Sequence, residues 1–156
     1  MNTDRRPFRW VALAGVVAAT CDIVYAILYY GWRGVPAERI LQTVASGVLG
    51  QSSFGQGGTS AALGLGLHYA IVMVAAWLFF AAAQRWPWLH EEPVTSGLLY
   101  GVAIYGFMNF VVLPLSAYPY PLRFPLLTTA TGLLVHMAGV GLPISLITRR
   151  AHPPAA

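Results

Sequence analysis

A chain of 156 residues in which 57% are hydrophobic and 9% charged cannot furnish the surface of a water-soluble domain, where about a quarter of residues carry charge. Its formal charge of +4 rests on nine basic residues, every one an arginine, set singly or in pairs at the ends of apolar runs. That distribution excludes a basic face for nucleic acid and makes the lipid bilayer the expected partner.

The first apolar run covers residues 10–30, after Arg5, Arg6 and Arg9, and closes on Tyr29, Tyr30 and Trp32. Arg5-Arg6-Pro7-Phe8 loosely matches a twin-arginine export signal. The run is long, however, ends in bulky aromatics and lacks a small-x-small cleavage site, so it reads as a retained span. Cys21 is the lone cysteine. It excludes an intramolecular disulfide and a cysteine-based zinc site, and it reads as a buried, inert thiol. In residues 36–49, Ile40, Leu41, Val44, Ala45, Val48 and Leu49 recur at helical spacing behind Pro36, which suits a helix start. The segment is too short to cross a bilayer, so an amphipathic helix is expected, lying on the outer surface or re-entering the bundle. Gln51 to Gly58 is expected to be a flexible turn.

The second run covers 60–83 and ends at Gln84, Arg85 and Trp86. A loop with solvated His90, Glu91 and Glu92 leads to the third run, 94–115. Pro119, Pro121 and Pro125 stiffen an extended connection to the fourth, 126–148, which ends on Arg149 and Arg150. Residues 151–156, including His152, form a tail expected to be mobile. Each run is long enough to cross a ~30 Å hydrocarbon layer at ~1.5 Å per residue. The expected fold is therefore an all-α membrane protein: one domain over 1–150, with four transmembrane helices plus the outer-face amphipathic or re-entrant helix. Four spans place Arg5, Arg6, Arg9, Arg85, Arg149 and Arg150 on one side and Arg33, Arg39 and Arg123 on the other. This bias puts both termini in the cytoplasm of a bacterial inner membrane.

An ionisable group at mid-membrane costs about 2.5–3.5 kcal/mol and marks a functional candidate. Asp22, His68 and His136 are three such groups, on the first, second and fourth spans, and the neutral Asn109 sits on the third. At ~1.5 Å per residue, Asp22 lies ~18 Å and Asn109 ~22 Å from the inner ends of their spans. His68 lies ~12 Å and His136 ~15 Å from the outer ends of theirs, so all four fall at one level between the midplane and the outer interface. Tyr25 and Tyr105, one turn from Asp22 and Asn109, offer supporting hydroxyls. Gly64, Gly66, Gly132, Gly139 and Gly141 thin the two histidine-bearing helices, for close approach or to admit a flat ligand. Gly97-x-x-x-Gly101 reads as a contact motif within the bundle. Pro114 and Pro143 are expected to kink or end their helices. The first and third spans, and the second and fourth, share short patterns (Gly-Val openings, and a leucine two or three places before each histidine) that suggest a duplication.

Four chemistries fit this layer. His68 and His136 would serve as axial ligands of haem b. Asp22 with both histidines would bind a transition metal. Asp22 with His68 would form a proton-linked or quinone-contacting relay in transport or redox. Lastly, hydrogen bonds among the four would simply pin the helices together, as in a non-catalytic accessory, scaffold or subunit of a larger membrane complex or homo-oligomer. No phosphate loop, nucleophile elbow or zinc-protease motif is present, so no catalytic residue is nominated.

The segments Arg39–Gly50 (RILQTVASGVLG), Ala62–Tyr69 (ALGLGLHY) and Tyr105–Ser116 (YGFMNFVVLPLS) together resemble a family of small bacterial four-span inner-membrane proteins. More distantly they are similar to the YagU-like membrane proteins. The resemblance covers most of residues 10–148. It implies the four-span topology and carries no activity.

Overall fold

The computed structural model describes residues 6–151; Arg5 and the tail from 152 onward lie outside them. The described residues form helices joined by short turns and one extended connection over 116–125, with no strand among them. In chain order the helices are α1 (Arg6–Trp32), α2 (Ala37–Leu49), α3 (Gly57–Arg85), α4 (Trp88–Glu91), α5 (Pro93–Leu115) and α6 (Leu126–Ala151). Four of them, α1, α3, α5 and α6, are long and apolar enough to cross a membrane. They start where the sequence supplies a fixed φ or a permissive one. Pro36 and Pro125 precede α2 and α6, Pro93 opens α5, and Gly57 opens α3 at φ 56°, which an L side chain resists.

Apolar side chains gain little by leaving lipid for a helix contact, so bundles in membranes close over small residues and hydrogen bonds. The central helix is α1, packed between α3 and α6. Its contact face carries Val11, Ala14, Ala18 and Ala19, all fully buried. Gly15 admits the side chain of Met73 from α3. On the other flank, α5 packs on α6 through glycine. Gly97 and Gly101 face the backbone of Gly141 and His136, and a Cβ on any of Gly97, Gly101 or Gly141 would collide with the opposing helix. The contact motif read from the sequence is therefore internal to the bundle. Near the termini the helices are also bonded by side chains: Ser145 donates to the Pro93 carbonyl at 2.6 Å and Ser96 to that of Leu89 at 2.7 Å. Tyr100 donates to the Ala75 carbonyl at 2.7 Å and packs on Phe79, joining α5 to α3.

The segment between α1 and α3 is a structural element in its own right. The face of α2 that is buried carries Ile40, Gln42, Ala45 and Ser46, so it is half polar. The Leu41 carbonyl lies directly against Gly64 of α3. Residues Gly50–Gly55 form a 3₁₀ turn in which Ser53, fully buried, donates to the Gln42 carbonyl at 3.0 Å. Ser60 then donates to the Ser53 carbonyl at 2.6 Å, and Gln42 to that of Gly57 at 3.1 Å. At the other end of α2, the Ala117 amide donates to the Gly47 carbonyl at 2.9 Å. The helix thus crosses from the head of α3 to the foot of α5. Instead of the flexible turn expected from its glycines, Gln51 to Gly58 is held by buried serines.

Two further expectations are corrected. Cys21 is exposed on the flank of α1, because the buried stripe runs through Ala18, Ala19 and Ile23. His90 is half-buried, edge-on to the Phe79 ring at 6.3 Å, and is not a solvated loop residue.

Pro114 stands one residue before α5 ends, whereas Pro143 lies inside α6 and does not end it. Before Pro114 the chain opens into a π turn at Met108–Val112, and before Pro143 into another at His136–Gly141. A proline ring clashes with the carbonyl four residues earlier, and the wider turn moves that carbonyl aside. Asn109 and His136 both sit in these turns.

Candidate functional site

Asp22 follows the buried alanine stripe of α1 by one turn. His68 lies one turn below Gly64, where α2 crosses α3, and is 8% exposed. His136 opens the π turn of α6. The three converge: Asp22 Oδ2 is 4.0 Å from His68 Nε2, and Asp22 Oδ1 is 3.7 Å from His136 Nδ1. One carboxylate therefore bridges two imidazoles, contributed by three different spans. The expected layer is assembled from Asp22, His68 and His136. Asn109 makes no bond to the three: its amide donates to the Tyr105 carbonyl of its own helix at 2.8 Å, although it lines a cavity that also reaches Asp22 and His136.

The tautomers follow from the partners. His68 Nε2 lies 2.9 Å from the Ala19 carbonyl of α1, and His136 Nδ1 lies 3.0 Å from the Gly132 carbonyl. A carbonyl only accepts, so both of these nitrogens carry the hydrogen. In the neutral rings, His68 Nδ1 and His136 Nε2 then hold lone pairs, and the Asp22 carboxylate offers lone pairs too. The groups left unpaired at the centre are acceptors.

Two cavities meet there. The first, about 370 Å³, runs between α3 and α5 beneath α2 and reaches Asp22, His68 and His136. The second, about 470 Å³, lies between α1, the start of α6 and the 116–125 connection, and reaches Asp22, His136, Tyr25, Tyr105 and Asn109. Tyr25 Oη and Thr129 Oγ1 line the second cavity, buried and without a hydrogen-bond partner among the described residues. Tyr105 stands edge-on to the His136 ring at 5.2 Å and steadies it, and Tyr25 stacks on Tyr29 at 5.3 Å. Arg123 and Tyr118 also reach this cavity, and Tyr118 reaches both.

The thinning glycines serve contact more than ligand space. Gly64 is filled by α2, Gly141 by α5 and Gly132 by the Tyr105 ring, while Gly66 has nothing within 4 Å. Among the described residues no group of three His, Cys, Asp or Glu side chains is placed to hold a metal ion. As placed, the histidine nitrogens nearest Asp22 are donors to carbonyls and not metal ligands, and the space between them holds the carboxylate. Sequence reasoning missed the Ala19 and Gly132 carbonyls, because every residue carries one and only the fold selects which is presented. It also missed Tyr118 and Arg123, which lie between the third and fourth spans, and Thr129, in the first turn of the fourth. The proline-rich connection was a signal that this segment is stiff enough to line a cavity. No family model, curated protein or solved structure matches this chain, so its chemistry stands on its own residues.

Proposed function

We propose that this is a bacterial inner-membrane protein, with both termini cytoplasmic, whose His68–Asp22–His136 centre binds and releases a proton as the working part of a transport or redox component. The arginine bias supports the orientation, and the resemblance to small four-span inner-membrane proteins supports the compartment. The observation that carries the reading is the carboxylate shared by two imidazoles at the junction of two cavities. Either ring of the His–Asp–His set can take a second hydrogen, at His68 Nδ1 or His136 Nε2, and the resulting cation sits beside the Asp22 carboxylate. The other titratable or charged groups that line the same space are Tyr25 and Tyr30 on α1, Tyr105 on α5, and Tyr118 and Arg123 on the connection.

The test is a pH titration of ¹⁵N-histidine signals in the full chain in lipid nanodiscs. His68 and His136 are expected to titrate together, and Asp22→Asn to move both midpoints in the same direction. Midpoints indifferent to Asp22→Asn would overturn the proposal. A helix-pinning role, as in an accessory or scaffold subunit, has one observation in its favour: the bond from His68 to Ala19 ties α3 to α1. In that case Asp22→Asn would lower the thermal midpoint and leave the histidine titrations unchanged.

A further inference from the structure

The structure carries the reading of this centre one step further, to the class of molecule it receives and the route by which that molecule arrives. Around the bundle, α3 packs on α1 and α2, and α5 packs on α6. The described bonds between α3 and α5 are near the termini side, where Tyr100 reaches Ala75 and Phe79. Beyond that tie no hydrogen bond or ring contact joins the two helices among the described residues, and α2 roofs the gap with Thr43, Val44, Gly47 and Val48. The cavity of about 370 Å³ fills this gap. Its walls are apolar along their length, from Ala75 and Ile104 up to Val112 and Leu113. Ile71 and Val48, which line it, are 38% and 63% exposed, so the wall is open toward the surrounding lipid. From Ala75 to His68 the α3 wall rises ~10 Å. At the end of that climb stand Asp22, His68 and His136, whose unpaired atoms are acceptors.

We infer that the gap between α3 and α5 is a lateral entry for a single-chain amphipathic molecule dissolved in the bilayer, whose hydroxyl head, of the phenol or quinol type, donates its hydrogen to the Asp22 carboxylate between His68 and His136. The inference rests on the proton-binding reading in one respect, that the centre presents acceptors. A cavity of this size suits a small ring with part of its chain, and the rest of the chain stays in lipid. Acceptors left unpaired when a ligand covers them are costly, so they select for a donor and against the same molecule without one.

The probes are 4-nonylphenol and its methyl ether, which share the chain and differ in the one hydrogen that can be donated. They are titrated into nanodiscs holding the full chain, with the His68 and His136 ¹⁵N signals as the readout. The phenol is expected to shift both signals saturably, and the ether to bind at least tenfold more weakly. Ile71→Trp, at an exposed wall position that leaves the packed core untouched, is expected to weaken the phenol by a similar factor. Equal binding of the two probes would overturn the assigned head chemistry, and indifference to Ile71→Trp would overturn the route. No shift with either probe, in a protein whose histidines still titrate with Asp22, would remove the entry and leave the proton site standing. Phenol binding in a protein whose histidines ignore Asp22→Asn would do the reverse.

Discussion

The two ends of this bundle are built on different rules. Toward the termini, α5 buries Pro93, Ser96, Gly97 and Gly101, and α6 buries Val140, Gly141, Ile144, Ser145 and Thr148. Toward α2 the same two helices bury nothing: no residue of α5 beyond Gly101 and none of α6 before Val140 is buried. On α6 the change falls within the π turn of His136–Gly141, whereas on α5 burial stops at Gly101, about two turns before the π turn of Met108–Val112. Helices in lipid separate wherever small residues and cross-helix bonds stop, because no hydrophobic force closes the gap. The open half is thus a consequence of where glycines and serines end, and the ionisable centre lies inside it.

The contrast breaks most visibly at Gly101. A Cβ there would run into the His136 and Met137 backbone, so neither helix can yield without losing the seam. Gly101→Leu is expected to cost about 3 kcal/mol or to prevent folding, measured by unfolding from mixed micelles. Gly106, one and a half turns on, has nothing within 4 Å. Gly106→Ala is expected to be neutral or to stabilise by up to about 1 kcal/mol, through helix propensity alone. If both changes were equally tolerated, the tight seam would not exist.

A phenylalanine pair sharpens the same point with a smaller effect. Phe79 is 1% exposed in the closed half, whereas Phe110 is 67% exposed in the open one. Truncating Phe79 leaves a cavity that lipid cannot refill, at a cost of about 2 kcal/mol for roughly 100 Å³. Phe110→Ala gives up only the stack on Phe124 at 5.4 Å and is expected to cost no more than about 1 kcal/mol. The same unfolding assay reads both.

Span number and helix type were legible because a bilayer forces long apolar runs, and no other helix fits them. Gly97-x-x-x-Gly101 was legible as a contact because its spacing is fixed by the helix, although its partner on α6 was not. The depth count brought Asp22, His68 and His136 to one level, and they do meet. It could not separate Asn109, since depth says nothing about which way a helix is turned about its axis. The π turns were hidden for a related reason. A proline announces a backbone conflict, but the neighbours decide whether a kink, an end or a wide turn resolves it. Cys21 and His90 were misjudged on the same ground: burial inside a span or loop depends on the face presented. The polar side of α2 was unreadable because Gln42, Ser46, Ser53 and Ser60 bond to backbone carbonyls that only the folded chain places.

The smallest effect concerns the rim of the open half. Tyr118 lies on the 116–125 connection, outside the spans, and lines both cavities. Burial pushes its phenol above the ordinary 10.0, and the neighbouring Tyr120 pushes in the same direction. The folded protein therefore holds this proton more tightly than the unfolded chain does. The stability it contributes is present in full below about pH 10 and is lost as pH rises through the folded value. Because the group is only half-buried, solvent screens most of the gain, and the expected sign is a slight loosening of the connection at high pH. Hydrogen exchange should quicken in residues 116–125 above that pH, beyond the intrinsic rate, while Ser96 to Gly101 stay protected. Tyr118→Phe should remove the added loosening. If the closed seam loosened in step with the connection, the two halves would be one cooperative unit and the division drawn between them would fail.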